Sequence, residues 1–398
     1  MLLTRPTIAD QADVVRIGRP LGERARSVAL VGTYPPTACG LATFTSNLRT
    51  AITEDAPNWD AQVVRVLDRH EPAASREVVA QWIAGDSASL KHALAVTASS
   101  DAVLLQHEYG LFAGPDGEEV LELVDSLTPP LVAVLHTVLL QPSPHQREIL
   151  ERVLASASAV VVQSEGARQR LTATHGVAPE EVLVIPHGAA ENFTGPLLPY
   201  VQRPTVLTWG LLSRGKGIEH GIAAMARMGG QSPPPRYIVA GQTHPKVRAA
   251  EGQRYRRELQ ALARRVGVDH RVQFDGKYRD WVSLRALVRS VDAVLLPYDS
   301  REQVSSGVLV EALASGKPVV ATRFPHAEEL LAGGAGLLVD HGDVEAMADA
   351  LGRILSEPGL ADEMSATARR IAQPLLWPAV GRAYRALVNR VLESRAAA

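Results

Sequence analysis

Two stretches of this 398-residue sequence bring together residue types that can hold a phosphorylated ligand. The first is residues 208–217, TWGLLSRGKG. Gly210, Gly215 and Gly217 permit close backbone approach, and Lys216 is a mobile point charge for phosphate. A helix expected from about Ile218 would add its positive N-terminal end. The same residues also suit an ordinary glycine-rich turn with a solvated lysine, because such loops are weak motifs alone. The second stretch is 299–320, DSREQVSSGVLVEALASGKPVV. Ser305, Ser306 and Gly307 read as a helix start, with a hydroxyl cap and open amides that continue to Val308. Glu311 follows Gly307 by one helical turn on the same face. Its two oxygens can accept from both hydroxyls of a ribose cis-diol. A surface salt bridge is the alternative for Glu311. Val308, Leu309, Ala312 and Leu313 around it are apolar, however, so the helix should be largely buried and the carboxylate needs a partner.

A second group of candidates lies in the first half. Residues 33–45, TYPPTACGLATFT, follow an apolar run; Pro35 and Pro36 extend the loop and Gly40 opens a helix. An ordinary strand-to-helix connection would look the same. Cys39 has nothing nearby to activate it and reads as a small apolar filler. His107, Glu108 and Tyr109 end one apolar run, and His136 ends another, at the edge where a parallel sheet presents its ligand site. Either histidine can bond a sugar hydroxyl or donate to developing charge, and either can be a structural hydrogen-bonder. His187, in Ile-Pro-His-Gly, reads as a hinge or cleft-wall residue.

Short apolar runs alternating with amphipathic stretches must position these groups. In the first half the runs are 28–31, 62–67, 102–106, 131–135, 159–162 and 182–185; in the second they are 205–209, 237–240, 272–274, 293–296, 318–321 and 336–339. Such a pattern predicts parallel sheets covered on both faces, here two sheets of six strands. The expected division is a lead-in over 1–25, a Rossmann-like domain over 26–196 and a linker over 197–204. A second Rossmann-like domain over 205–376 and a terminal helix over 377–398, packing back toward the first domain, complete it. The formal charge of −2 gives no global case for nucleic acid, and one cysteine suits a reducing compartment. The longest apolar run, 131–140, is interrupted by His136 and Thr137 and is far short of a membrane span. A cytoplasmic protein is expected, with peripheral membrane contact left open.

In this order the segments resemble the group 1 (family 4) retaining glycosyltransferases, and within them the mannosyltransferase-like branch. The likeness runs through TYPPTACGLATFT, QHEYGLF, LHTVLLQPSPHQREIL, VIPHG, GLLSRGKGIE, AGQTHP, the 303–318 region, HAEELL and Trp377, and covers nearly all of 26–395. It implies the GT-B architecture, two doubly wound domains facing across a cleft. It also implies transfer of a hexose from a nucleotide sugar with retention and without a catalytic metal, consistent with the lack of an Asp-x-Asp motif. GDP-mannose is the first donor expected. The acceptor is a glycan, a lipid-linked sugar or a small molecule. On the family pattern Lys216, Arg214 and the 306–308 amides meet the diphosphate, and Glu311 meets the ribose. His136 contacts the donor sugar, and Lys277 and Tyr278 border the base. Two departures stand out: Leu211 occupies the usual place of an arginine, and Gln303 that of the first of two glutamates, with Glu302 beside it as a substitute. A non-catalytic sugar-nucleotide-binding protein and an NAD-dependent oxidoreductase are the other readings. The second lacks a Gly-x-Gly-x-x-Gly after its first strand.

Overall fold

The computed structural model describes residues 25–72, 75–197 and 203–397. Residues 1–24 of the 1–25 lead-in and residues 198–202 of the linker lie outside them. Among the described residues seven strands occupy the first half: β1 Arg26–Gly32, β2 Trp59–Leu67, β3 Val78–Ile83, β4 Ala102–His107, β5 Leu131–Leu135, β6 Ala159–Val162 and β7 Val182–Val184. Six occupy the second: β8 Thr205–Trp209, β9 Arg236–Ala240, β10 Val272–Asp275, β11 Ala293–Leu296, β12 Val319–Thr322 and β13 Gly336–Val339. Most are runs of Val, Ile, Leu and Ala buried on both faces, and helices between them supply the cover that a parallel sheet requires.

The sheets run β3-β2-β1-β4-β5-β6-β7 and β10-β9-β8-β11-β12-β13, with every pairing parallel. Two sheets of six are therefore corrected to seven and six. The additional strand is β3, an edge strand whose run VVAQWI is interrupted by Gln81 and is only partly buried. In each sheet the order reverses beside the first strand, at β1/β4 and at β8/β11, which places a ligand crevice at those carboxyl ends. Two doubly wound sheets facing across such a crevice make the GT-B architecture.

The halves exchange packing elements. Trp377–Ala397, the last helix, lies on the helix Gly40–Thr53 and shares a core with Phe44, Leu48 and Ile52. A Cβ at Gly381 would stand 2.1 Å from the Ala51 carbonyl oxygen, so only glycine allows the two helices to come this close. In the other direction Val304 enters the core of the first sheet. Arg170 donates to the carbonyls of Val138 (3.1 Å) and Glu302 (3.0 Å), fastening the 301–304 loop to the first half.

Candidate active site

A cavity of about 650 Å³ opens at the carboxyl ends of both sheets. A larger groove of about 1080 Å³ lies at the amino-terminal ends of β5 and β6, against Leu387 and Val391. It contains none of the chemistry-bearing segments and is at the wrong strand ends for a doubly wound sheet.

The floor of the cavity is backbone. Gly210 and Gly241 end β8 and β9 with φ of +126° and +134°. A Cβ at Gly241 would stand 1.9 Å from the Gly210 carbonyl oxygen, so the two strand ends meet only because side chains are absent. The loop then turns at Gly217, where φ is +62° and a Cβ would meet the Pro297 carbonyl at 1.7 Å. This turn aims Lys216 into the cavity. Its ammonium donates to Gln303 Oε1 at 3.0 Å and lies 4.2 Å from the centre of the Tyr298 ring.

Arg214, two residues earlier, points the other way. Its guanidinium reaches Glu258 at 2.8 Å and Glu251 at 3.3 Å, over Tyr255, and is 54% exposed. It does not line the cavity, which corrects its assignment to the diphosphate. Gln303 is also corrected from a sugar contact to a brace. Its oxygen accepts from Lys216, its amide donates to the Ser305 carbonyl, and neither Gln303 nor Ser305 lines the cavity. Nor does Glu302 stand in for the missing glutamate, since it accepts from the Leu140 amide at 2.6 Å and lies 3.8 Å from Arg170.

The helix Gly307–Ala314 begins under a serine cap, Ser306 Oγ accepting from the Leu309 amide at 3.2 Å. Ser306 is itself buried, and its own amide donates to His326 Nδ1 at 3.0 Å, so it is not available to a ligand. Gly307 and Val308 line the cavity, and their first-turn amides have no acceptor within the helix. One turn on, Glu311 reaches the same cavity and accepts from the Trp209 indole N–H at 3.3 Å. Burial raises its carboxyl to about 7, against the opposing effect of the Trp209 hydrogen bond. Lys277 and Tyr278 complete this wall, and the Tyr278 hydroxyl crosses the cleft to the Cys39 carbonyl at 3.5 Å.

The first-half wall differs. Gly40, Thr43, Phe44 and Asn47 line it from one helix, joined by Glu108 and His187. Glu108 accepts from Thr137 Oγ1 at 2.5 Å, and burial raises its carboxyl above the ordinary range. His107 and Tyr109 do not line the cavity: His107 is 1% exposed and packs edge-on to Tyr109 with ring centres 5.1 Å apart. Strand alternation carries this signal, because 107 and 109 share the face of Val103 and Leu105, which point into the core behind the wall. His136 is set behind the wall as well. Gln163 donates to its Nδ1 at 2.9 Å and its Nε2 donates to Gln106 at 2.8 Å, so both ring nitrogens are occupied. Burial, with smaller contributions from His187 and His107, lowers it to about 3, and it is neutral. A direct sugar contact through its ring is not present in this arrangement.

Trp209, His187, Asn47, His244 and Trp281 line the cavity without having been singled out as ligand contacts. Trp209 sits within an apolar run and reads as core; its polar edge becomes visible only opposite Glu311. His187 was legible as a wall residue from its place after β7, but not in its orientation.

Comparison with known proteins agrees with this geometry. Residues 52–192 match the Glycosyltransferase Family 4 model and residues 203–357 the model of group 1 glycosyl transferases. The D-inositol 3-phosphate glycosyltransferase of Corynebacterium diphtheriae is 30% identical over 282 residues, 63% of this chain and 62% of the relative. That of Actinosynnema mirum is 28% identical over 265 residues, 59% of this chain and 58% of the relative. The chain spans only 58 and 62% of the length of these two curated relatives. Among solved structures, sucrose-phosphate synthase from Thermosynechococcus elongatus aligns with a TM-score of 0.74 at 20% identity, over 93% of this chain and all of the other. Anabaena HepE in complex with UDP and glucose aligns with a TM-score of 0.73 at 19% identity, over 92% and 100%.

Proposed function

Because the chain belongs to the group 1 glycosyltransferases of family 4, we propose that it moves a hexose from a nucleotide-sugar donor to a hydroxyl acceptor in the cleft between its sheets. The observation that carries this reading is the convergence of Lys216, the Gly307 and Val308 amides and Glu311 on one cavity. In this reading the donor diphosphate lies against the two amides, and ionised Glu311 accepts from the ribose diol. Lys277 and Tyr278 border the base. As the sugar–phosphate bond breaks, negative charge builds on the diphosphate, and Lys216 stabilises it at the point of build-up. The acceptor enters along Glu108 and Thr43. Its oxygen bonds the anomeric carbon on the face the diphosphate leaves, and its proton passes to a phosphate oxygen, giving retention. With Lys216 and the amides meeting the charge, the step proceeds without a bridging metal.

GDP-mannose remains the donor expected from the branch resemblance, and UDP-glucose is the second donor to test. The inositol phosphate in the relatives' names makes a polyol phosphate one acceptor to try, beside glycans and lipid-linked sugars. Among the described residues no helix is long and apolar enough to cross a membrane. We place the reaction in the cytoplasm, where nucleotide sugars are the available donors.

The test is a panel of UDP-, GDP- and ADP-sugars assayed for binding, hydrolysis and transfer in the presence of a chelator. One series should bind and turn over, and the folded Lys216→Ala and Glu311→Ala variants should lose about 100-fold or more in transfer. Tight binding with no hydrolysis or transfer to any acceptor would favour the non-catalytic reading. Full activity in both variants would refute the site.

A further inference from the structure

His187 follows β7, where the chain begins to leave the first half, and its imidazole lies over the first residue of the helix Gly307–Ala314. A Cβ placed on Gly307 would be 2.6 Å from His187 Nε2 and within 3.0 Å of two ring carbons, so the glycine makes room for the ring. The ring's direction is set from behind: His187 Nδ1 lies 2.8 Å from the Gly188 carbonyl and donates to it, which leaves Nε2 as the bare nitrogen. Phe44 and Trp377 hold it from the sides, with ring centres 5.0 and 6.1 Å away. Three histidines gather near this helix start, but His136 has both nitrogens bonded and His326 is spent on the Ser306 amide; of the three, only His187 lines the cavity.

A bare nitrogen beside open amides is a poor neighbour for a diphosphate, whose oxygens only accept hydrogen bonds. The same nitrogen carrying a proton is a charged donor at the place where this chain is short of charge. Leu211 replaces the expected arginine and Arg214 is turned away, so Lys216 is the one cation that the 210–217 loop turns into the cavity. We propose that His187 takes up a proton from solvent when the donor diphosphate docks, and that its Nε2–H then serves as a second cationic contact to the leaving group. This rests on the donor-site reading above.

In the free protein burial lowers His187 to about 4, so it is neutral at working pH and has the proton to gain. Of the titratable and charged groups near it, His136 from the end of β5 and His326 from the helix Pro325–Leu331 interact with it directly, and Glu311, Glu108, Lys216, Lys277 and Arg279 line the same cavity. The cations of the cavity disfavour the proton on His187, the carboxylates and the incoming diphosphate favour it, and His136 and His326, both lowered to about 3, are neutral.

Proton linkage separates this role from simple packing. Calorimetric titrations of GDP, UDP and ADP in buffers of differing ionisation enthalpy would be compared with guanosine, uridine and adenosine, which lack the phosphates. The nucleosides report protons exchanged at Glu311, and the diphosphate arm adds those exchanged at the phosphates and at His187. The wild-type protein should take up a fraction of a proton specific to the diphosphate, rising toward about one as pH falls from 8 to 6. His187→Asn and His187→Gln, each checked for an unchanged melting profile, should lose that uptake and bind the diphosphate about tenfold more weakly at pH 6, with nucleoside affinity unchanged. Diphosphate binding without specific uptake, or uptake that persists in both variants, overturns the inference and leaves the donor site standing. Absence of binding by GDP, UDP and ADP alike overturns the donor-site reading and this inference with it.

Discussion

The two walls of the cleft are built by different rules. On the second-half wall the groups assigned to the diphosphate and ribose are aimed inward by braces from their own half: Lys216 by Gln303 and Tyr298, Glu311 by Trp209, and the helix amides by the Ser306 cap. On the first-half wall two of the histidines are used up behind the surface, His136 by two glutamines and His107 by burial, and the cavity meets Thr43, Phe44, Asn47, the Glu108 carboxylate and the ring of His187. A wall that must hold one fixed anion benefits from preorganised charge. A wall that must admit an acceptor is shaped by size and by a few hydrogen bonds. The difference predicts that variants on the second wall change donor binding and turnover, whereas the first wall, His187 apart, governs acceptor choice and contributes strongly to acid stability.

The largest effect should be on acid stability. His107 and His187 are lowered to about 4, and His136 and His326 to about 3, all chiefly by burial, and three of the four belong to the first half. A histidine whose folded pKa lies below its unfolded value binds more protons when unfolded. Its stabilising contribution is therefore complete above about 6.5 and is lost as pH falls toward the folded value. Urea unfolding at pH 7 and pH 5 should show a loss of several kcal/mol, with an upper limit of about 1.4 kcal/mol per group per pH unit. Glu311 works in the opposite direction over the same window, since its carboxyl is raised, and reduces the loss. An unchanged midpoint of unfolding at pH 5 would contradict the buried neutral histidines.

Next in size is an opposition between binding and stability at Glu311. At pH 8 the folded protein holds an ionised carboxylate where burial disfavours it, and Glu311→Gln removes that cost. The variant should be more stable than wild type at pH 8, by about 1–3 kcal/mol, with the gain shrinking toward pH 5, where both are neutral. Donor affinity should fall about tenfold or more, because an amide cannot offer two acceptor oxygens to the ribose diol. A variant that is both less stable at pH 8 and fully able to bind nucleotide would remove Glu311 from the site.

The walls also differ in how far the sequence could describe them. On the second wall, 208–217 and 299–320 each carry strand, turn, cap and functional residues within one short segment, so local chemistry and local structure coincide. Lys216, the Gly307 and Val308 amides and Glu311 meet in the cavity for that reason. The doubly wound plan was legible for the same cause: most strands are unbroken apolar runs, and the one overlooked, β3, is a half-exposed edge. Side-chain direction within a loop was not legible. Arg214 and Lys216 are two residues apart, and only the placement of Glu251 and Glu258 shows that the first turns outward. On the first wall the decisive facts are tertiary, such as the two glutamines that enclose His136 and the glycine that seats His187.

The smallest effect is expected at Arg214, and it tests that last distinction directly. A guanidinium 54% exposed, paired with two carboxylates on the far side of its loop, is screened by solvent and contributes little to stability. Arg214→Ala should leave nucleoside diphosphate affinity within about twofold of wild type, against about 100-fold lost in transfer for Lys216→Ala. Its salt dependence should also match wild type, because a charge that does not contact the ligand does not change the ionic-strength slope of its binding. If Arg214→Ala instead weakened binding as much as Lys216→Ala, the loop would have to swing Arg214 inward when the donor arrives. The contrast between a braced second wall and a plainer first wall would then not extend to the donor complex.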